Sequence, residues 1–86
     1  MRTVIVYKPV SDHARAVLEF LRDFEKQTGK KLDTIDPETR EGAAFCTAHD
    51  ILEYPTVIAT DSNGVVLQLW RGLPLPTISE VSYYAQ

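Results

Sequence analysis

A chain of 86 residues carries nine basic and twelve acidic residues, for a net charge of −3, and 44% of its residues are hydrophobic. This composition is typical of one globular domain and excludes an intrinsically disordered chain. The basic residues are scattered rather than clustered, so no nucleic-acid partner is expected.

The sequence also lacks the signals of membrane insertion and export. No apolar run reaches the roughly 20 residues that cross a bilayer, and the apolar N-terminal segment is too short for a signal peptide. The single cysteine, Cys46, has no partner for an internal disulfide, which suits a reducing compartment. We therefore expect a cytoplasmic protein without membrane contact.

The first two predicted elements are a strand and a helix. Residues 3–7 form a β-branched and aromatic run that predicts a strand buried on both faces, and the following proline ends it. Apolar residues spaced by three and four from Ala14 onward predict an amphipathic helix of about four turns. Gly29 can adopt the left-handed conformation that closes such a helix.

A second strand and helix follow. Residues 31–35 alternate between polar and apolar side chains over the length of a short strand. Asp36 is expected to cap a helix whose first position is Pro37, because proline has no amide to lose there. This helix is predicted to reach His49, with Phe45 as its one large packing residue.

The remaining chain predicts a hairpin and a last helix. Residues 56–60 are strongly β-forming, and the Asn63-Gly64 turn leads into a second strand over residues 65–71. The segment 77–80 has the spacing of a capping box, which predicts a short helix that reaches about Ala85.

The predicted order is therefore β-α-β-α-β-β-α in a single α/β domain over residues 1–86, with a mixed four-stranded sheet flanked by helices. This order resembles the thioredoxin/glutaredoxin fold. Four local features strengthen the resemblance: Asp36 after the second strand, the Tyr54-Pro55 approach to the third, the Asn63-Gly64 turn, and residues 72–74 after the fourth. The resemblance covers nearly the whole chain and implies a cis bond before Pro55.

The same comparison indicates which chemistry is missing. Glutaredoxins follow the first strand with Lys-Pro, one residue and Cys-x-x-Cys, whereas this chain has Lys8-Pro9, Val10, and then Ser11 and Ala14 at the two cysteine positions. Thiol–disulfide exchange needs an attacking thiolate and a resolving thiol, so the residues at this site exclude that reaction. We therefore expect a binding protein more than an enzyme. Leu73-Pro74 stands where glutaredoxins commonly hold glutathione with a second glycine and an aspartate.

What the resemblance preserves is a groove between the first helix and the loop before the third strand. Family members pair an extended peptide with the backbone before the cis proline. We therefore expect a protein or peptide to bind there, through Lys8, Ser11, Asp12, His13, Tyr54 and Pro55. Ser11 or Asp12 is also expected to cap the helix, and His13 is predicted to be a solvated side chain, although its imidazole could act as a base or proton donor.

Two alternatives stay open. In the first, Ser11 stabilises the thiolate of bound glutathione, as in a glutathione transferase, and Lys8 holds a carboxylate. In the second, the exposed sheet edge or the last helix joins copies of the chain or another protein; the sequence does not decide the oligomeric state. No other cofactor is expected. Cys46 with His49 supplies half the ligands of a structural zinc site, so we predict no metal and assign Cys46 to the core.

Overall fold

The computed structural model describes residues 1–85, so Gln86 of the predicted domain lies outside it. The order β-α-β-α-β-β-α is as the sequence predicts. The elements are β1 (Arg2–Val6), α1 (Ala14–Thr28), β2 (Asp33–Ile35), α2 (Arg40–Ala48), β3 (Thr56–Thr60), β4 (Val66–Arg71) and α3 (Ile78–Tyr84).

The four strands form one mixed sheet in the order β2-β1-β3-β4. β1 pairs with β2 in parallel and with β3 antiparallel, and β4 returns antiparallel to β3. In this register Thr56, the first residue of β3, lies opposite Val6 on one side and Arg71 on the other. The end of β1, the start of β3 and the end of β4 therefore meet at one end of the sheet.

Alternating side chains of the sheet divide the core into two layers. Val4, Val6 and Ile58 pack on one face against Cys46 of α2 and the adjoining Ile51. Side chains on the other face pack against α1 and α3; the buried residues of this layer are Ile5, Val57, Val17, Phe24 and Val81. Full burial of one such side chain contributes about 1.5–3 kcal/mol, so the helices are held mainly through these contacts.

The second helix begins later than its sequence predicts. Asp36 does not cap it: its carboxylate accepts from the Glu38 amide at 2.9 Å, and its carbonyl accepts from the Thr39 amide at 3.1 Å. These bonds form a turn before the helix. Thr39 is the cap, with its hydroxyl accepting from the Gly42 amide at 3.0 Å. Pro37 accordingly lies in the turn and not in the first helical position.

The ends of the other helices follow the sequence more closely. Gly29 closes α1 with a φ of 74° and donates its amide to the Glu25 carbonyl at 2.7 Å, as predicted. The capping box at the start of α3 is complete: the Glu80 amide donates to the Thr77 hydroxyl, and the Thr77 amide donates to the Glu80 carboxylate, each at 3.1 Å.

Glu80→Gln is expected to lower the free energy of unfolding at neutral pH, by an amount that shrinks in acid. The Thr77 amide, followed by the Thr77 hydroxyl, holds the pKa of Glu80 below its ordinary value. A carboxyl with a lowered folded-state pKa stabilises the fold above its unfolded pKa, and this stabilisation is lost as the pH falls through the folded pKa. Urea unfolding of both proteins, from neutral pH to about pH 3, measures the difference. A difference that does not change with pH would contradict the charged capping box.

Candidate functional site

The sheet register brings the first loop and the loop before β3 together. The β1–β3 ladder ends at the pair Val6 and Thr56, so Lys8 and Tyr54, each two residues beyond that pair, lie at the same end of the sheet. The Lys8 ammonium nitrogen is 5.2 Å from the centre of the Tyr54 ring, a distance suited to a cation–π contact. The Tyr54-Pro55 peptide bond is cis, as is the Leu73-Pro74 bond.

Residues 8–14 fold back on the end of β1 through three internal hydrogen bonds. The Lys8 amide donates to the Nε2 atom of His13 at 3.1 Å, and the Ser11 hydroxyl donates to the Lys8 carbonyl at 2.6 Å. The Ala14 amide donates to the Ser11 carbonyl at 3.4 Å. The loop is thus fixed at both ends, at Lys8 and at the start of α1.

The predicted capping of α1 by Ser11 or Asp12 is wrong. The cap position is His13, and no side chain accepts a hydrogen bond from the first amides of the helix. Ser11 is unsuitable because its hydroxyl turns back to the Lys8 carbonyl. Asp12 is exposed, and its carboxylate forms no hydrogen bond or ion pair within residues 1–85.

His13 is not the solvated side chain that the sequence predicts. It is half-buried, and its Nε2 atom accepts the Lys8 amide, so the ring proton of the neutral form must lie on Nδ1. The bond requires an unprotonated Nε2. His13 therefore serves to hold the loop, and its Nε2 lone pair is already occupied.

The backbone N–H and C=O of Tyr54 form no hydrogen bond within the described chain, whereas the carbonyls of the residues on either side do. The Thr56 hydroxyl donates to the Glu53 carbonyl at 2.6 Å, and the Gly72 amide donates to the Pro55 carbonyl at 2.8 Å. The Lys8 amide is turned toward His13. Within the described chain neither the N–H nor the C=O of Tyr54 has a hydrogen-bond partner.

The Tyr54 side chain is anchored from behind by a contact that the sequence does not reveal. Its ring packs on the core layer that contains Cys46, and both residues line one open cavity of about 340 Å³. Burial raises the pKa of the Tyr54 hydroxyl, and the neighbouring Cys46 thiol raises it further, so the hydroxyl stays protonated at neutral pH. Cys46 is buried, as predicted. Nothing in the sequence separation of the two residues indicates their contact.

Exposed apolar side chains flank these groups. Val10, in the first loop, is 96% exposed, and Leu52 and Leu73 are also exposed. Gly72 lies beside Glu53: a β-carbon built at position 72 would stand 3.3 Å from the Glu53 carboxylate. We call residues 8–13, residues 53–55 and Gly72 the Tyr54 site. Of the six residues predicted for the groove, the structure brings Lys8 against Tyr54 and joins Ser11 and His13 to Lys8, whereas Asp12 is exposed and Pro55 is buried.

The sheet edge and the last helix are the two surfaces that the sequence suggests for association with copies of the chain or another protein. β4 is an edge strand, but Leu67 forms a bulge in it and the Gln68 side chain accepts the Leu69 amide at 2.9 Å. Both features hinder pairing with a further strand. On α3, Tyr83 is exposed and packs edge-to-face against Tyr84, which in turn contacts Trp70 edge-to-face.

Residues 1–85 contain no group of three or more His, Cys, Asp or Glu side chains arranged to hold a metal ion. None of their helices has the length and apolar character needed to cross a membrane.

Comparison with known proteins shows the fold alone. No protein-family model and no curated protein matches the sequence. Among solved structures, thioredoxin 1 from the thermophilic eubacterium Thermosipho africanus TCF52B matches 98% of this chain and 89% of its own, with a TM-score of 0.66 and 19% sequence identity. The fold is therefore thioredoxin-like, as the sequence resemblance implied, and its one cysteine leaves no Cys-x-x-Cys pair.

Proposed function

We propose that this thioredoxin-like domain binds an extended segment of a protein partner at the Tyr54 site, without dithiol chemistry. The observation that carries the proposal is the pair of free backbone groups on Tyr54. They lie two residues before Thr56, where the β1–β3 ladder ends. An extended peptide that aligns there would add main-chain hydrogen bonds in the manner of an extra strand.

The rigidity of the site supports binding. The Tyr54 ring is held between Lys8 and the core layer that contains Cys46. The peptide groups on both sides of Tyr54 are fixed by the bonds to the Glu53 and Pro55 carbonyls. Because these groups are already ordered, binding a peptide costs less conformational entropy than it would at a mobile loop.

The hydrogen bonds of the first loop disfavour the glutathione alternative. A serine that stabilises a bound thiolate must direct its hydroxyl proton at the sulfur, but the Ser11 proton is directed at the Lys8 carbonyl. His13 accepts the Lys8 amide through Nε2, which occupies that nitrogen. These bonds favour a structural role for the loop, and no contact in the site specifically favours glutathione.

A peptide selection followed by amide mapping tests the proposal. Phage that display random peptides are enriched on the immobilised domain, and one enriched peptide is synthesised and titrated into the isotope-labelled protein. We expect amide shifts at Lys8 and Tyr54 together, with slower hydrogen exchange of the Tyr54 amide. Shifts confined to other surfaces, or a selection that enriches no peptide, would sink the proposal.

A backbone substitution tests directly whether the free N–H of Tyr54 takes part in binding. Chemical ligation at Cys46 allows synthesis of a domain in which an ester oxygen replaces the N–H of Tyr54. We expect the affinity for the enriched peptide to fall about fivefold, since one hydrogen bond contributes about 1 kcal/mol. The matched control carries the ester at Ser62, in the exposed hairpin turn, where the amide also lacks a partner within the described residues. Equal affinities for the two esters would contradict pairing at Tyr54.

A further inference from the structure

A second concave surface lies between α1 and the segment that follows β4. It is an open groove of about 710 Å³ lined by Ala16, Glu19, Phe20 and Asp23 of α1 and by residues 73–76. The four helical residues are spaced by three and four, so they form one stripe of α1. Phe20 and Leu75 are half-buried and provide an apolar floor. We call this surface the Phe20 groove.

The helical wall of the groove carries negative charge that is only weakly compensated. Glu19 and Asp23 are both exposed and lie one turn apart, where like charges repel. Within residues 1–85 Asp23 forms no ion pair, and Glu19 contacts only Arg15, at 3.5 Å. The Arg15 side chain is 91% exposed, so this pair is weak and readily exchanged. No lysine or arginine is among the lining residues.

The Phe20 groove continues the Tyr54 site along both of its walls. On the helical wall, His13 of the Tyr54 site is the cap residue of α1, and Ala16 follows in the first turn. On the other wall, Gly72 bonds to the Pro55 carbonyl at 2.8 Å, and Leu73 follows directly. Both walls of the groove thus follow along the chain from residues of the Tyr54 site.

We infer that the partner segment is apolar and basic: an apolar side chain rests on Phe20 and Leu75, and a neighbouring lysine or arginine lies beside Glu19 and Asp23. This inference rests on the proposed function and assigns its substrate class. The apolar floor selects the first side chain by burial, and the exposed carboxylates select the second by charge. An acidic segment would meet two like charges at the same place.

The enriched phage peptides test the charge of the partner. We expect lysine or arginine next to an apolar residue, and affinity that falls as salt rises. In the double variant Glu19→Gln/Asp23→Asn the affinity for such a peptide should fall about fivefold, which corresponds to two exposed ion pairs. The control is Glu25→Gln, which removes a carboxylate from the same helix outside the groove. It should leave the affinity unchanged.

A second pair of variants tests the apolar contact. Leu73 and Leu18 are each 55% exposed, but only Leu73 lines the groove. Leu73→Ala should weaken peptide binding about threefold through lost apolar burial, whereas Leu18→Ala should not. Both variants should remain folded, since neither side chain belongs to the buried core.

The outcomes separate the inference from the proposed function. Peptides that shift the Tyr54 amide, but show no basic preference and no loss with Glu19→Gln/Asp23→Asn, overturn the inference and leave the proposed function standing. Basic peptides that shift Phe20 and Leu73 without shifting Tyr54 overturn the proposed function and support the groove as the basic-peptide site. Equal losses with Glu25→Gln overturn the inference, because they indicate attraction to the acidic protein as a whole.

Discussion

Replacing Gly42 with alanine is expected to destabilise the domain by about 3 kcal/mol. The new methyl group would collide with the Asp36 carbonyl and would stand 2.8 Å from the Thr39 hydroxyl oxygen. The carbonyl cannot rotate away at low cost, because it accepts hydrogen bonds from both the amide and the hydroxyl of Thr39. The first turn of α2 must shift instead. Thermal and urea unfolding of the variant measure the loss.

Gly29→Ala provides the matched control for this steric argument. Gly29 has a φ of 74°, but a β-carbon there meets nothing within 4 Å. Its replacement should therefore cost only the strain of a left-handed alanine, about 1–2 kcal/mol. If Gly42→Ala cost no more than Gly29→Ala, the close approach between α2 and the Asp36 turn would be wrong.

The same substitution connects α2 to the candidate binding site. α2 carries Cys46, and the core layer around Cys46 supports the ring of Tyr54. A shift of the first turn of α2 should therefore disturb the Tyr54 amide in a spectrum of the folded fraction. Gly29 lies at the far end of α1 and should not produce this disturbance. Gly42 thus influences the Tyr54 site through the position of α2, without contacting it.

The fold was predictable because its main signals are local. The spacing of Val17, Leu21 and Phe24 predicts one buried helix face, and Gly29 predicts where the helix ends. The capping box at residues 77–80 is complete within four residues. Each of these features depends on neighbours along the chain, so one sequence contains the information.

The starts of α1 and α2 were harder to predict because several residues compete for the same role. Ser11 and Asp36 are both residue types that favour cap positions, yet each bonds elsewhere, Ser11 to the Lys8 carbonyl and Asp36 within its own turn. Which local bond wins depends on how the preceding strand ends and how the helix packs. Thr39 takes the cap of α2 because the turn at Asp36 delays the helix.

The proximity of the first loop to the loop before β3 was predictable, but the contacts around it were not. The resemblance placed residues 8–13 opposite the loop before Pro55, and the β1–β3 register brings Lys8 to Tyr54. The Cys46 contact and the Phe20 groove join residues distant in sequence, and no local pattern specifies either. The bond from the Lys8 amide to His13 closes a short loop, but an imidazole acceptor has no cap-like signature that would identify it.

The first loop shows how the redox position of the fold is occupied here. The two cysteine positions of the glutaredoxin pattern hold Ser11 and Ala14, and both take part in hydrogen bonds that order the loop. Ser11 bonds through its hydroxyl to the end of β1, while Ala14 bonds through its amide to the Ser11 carbonyl. This arrangement keeps one wall of the Tyr54 site in place without thiols.

The largest loss of stability is expected for Phe24→Ala, about 4 kcal/mol. Phe24 is fully buried between α1 and the sheet, and its removal leaves a cavity that the surrounding Ile5, Val57 and Val81 cannot fill without moving. A domain of this length is typically stable by about 4–13 kcal/mol, so the variant should unfold at a much lower temperature or fail to fold. Leu18→Ala, on the exposed face of the same helix, should cost less than about 1 kcal/mol.

Stabilisation of Phe24→Ala by bound peptide shows whether the variant has lost only core packing or also the binding site. If the two proposals hold, saturating peptide should raise the unfolding temperature of Phe24→Ala, since a ligand that binds only the folded state stabilises it. Phe24 lies beneath α1, whose outer stripe forms one wall of the Phe20 groove, and its ring stacks on Phe20 at 6.1 Å. The rescue should therefore be smaller than in Gly29→Ala, where the groove is untouched. Equal rescue would mean that the Phe20 groove does not depend on the core beneath it.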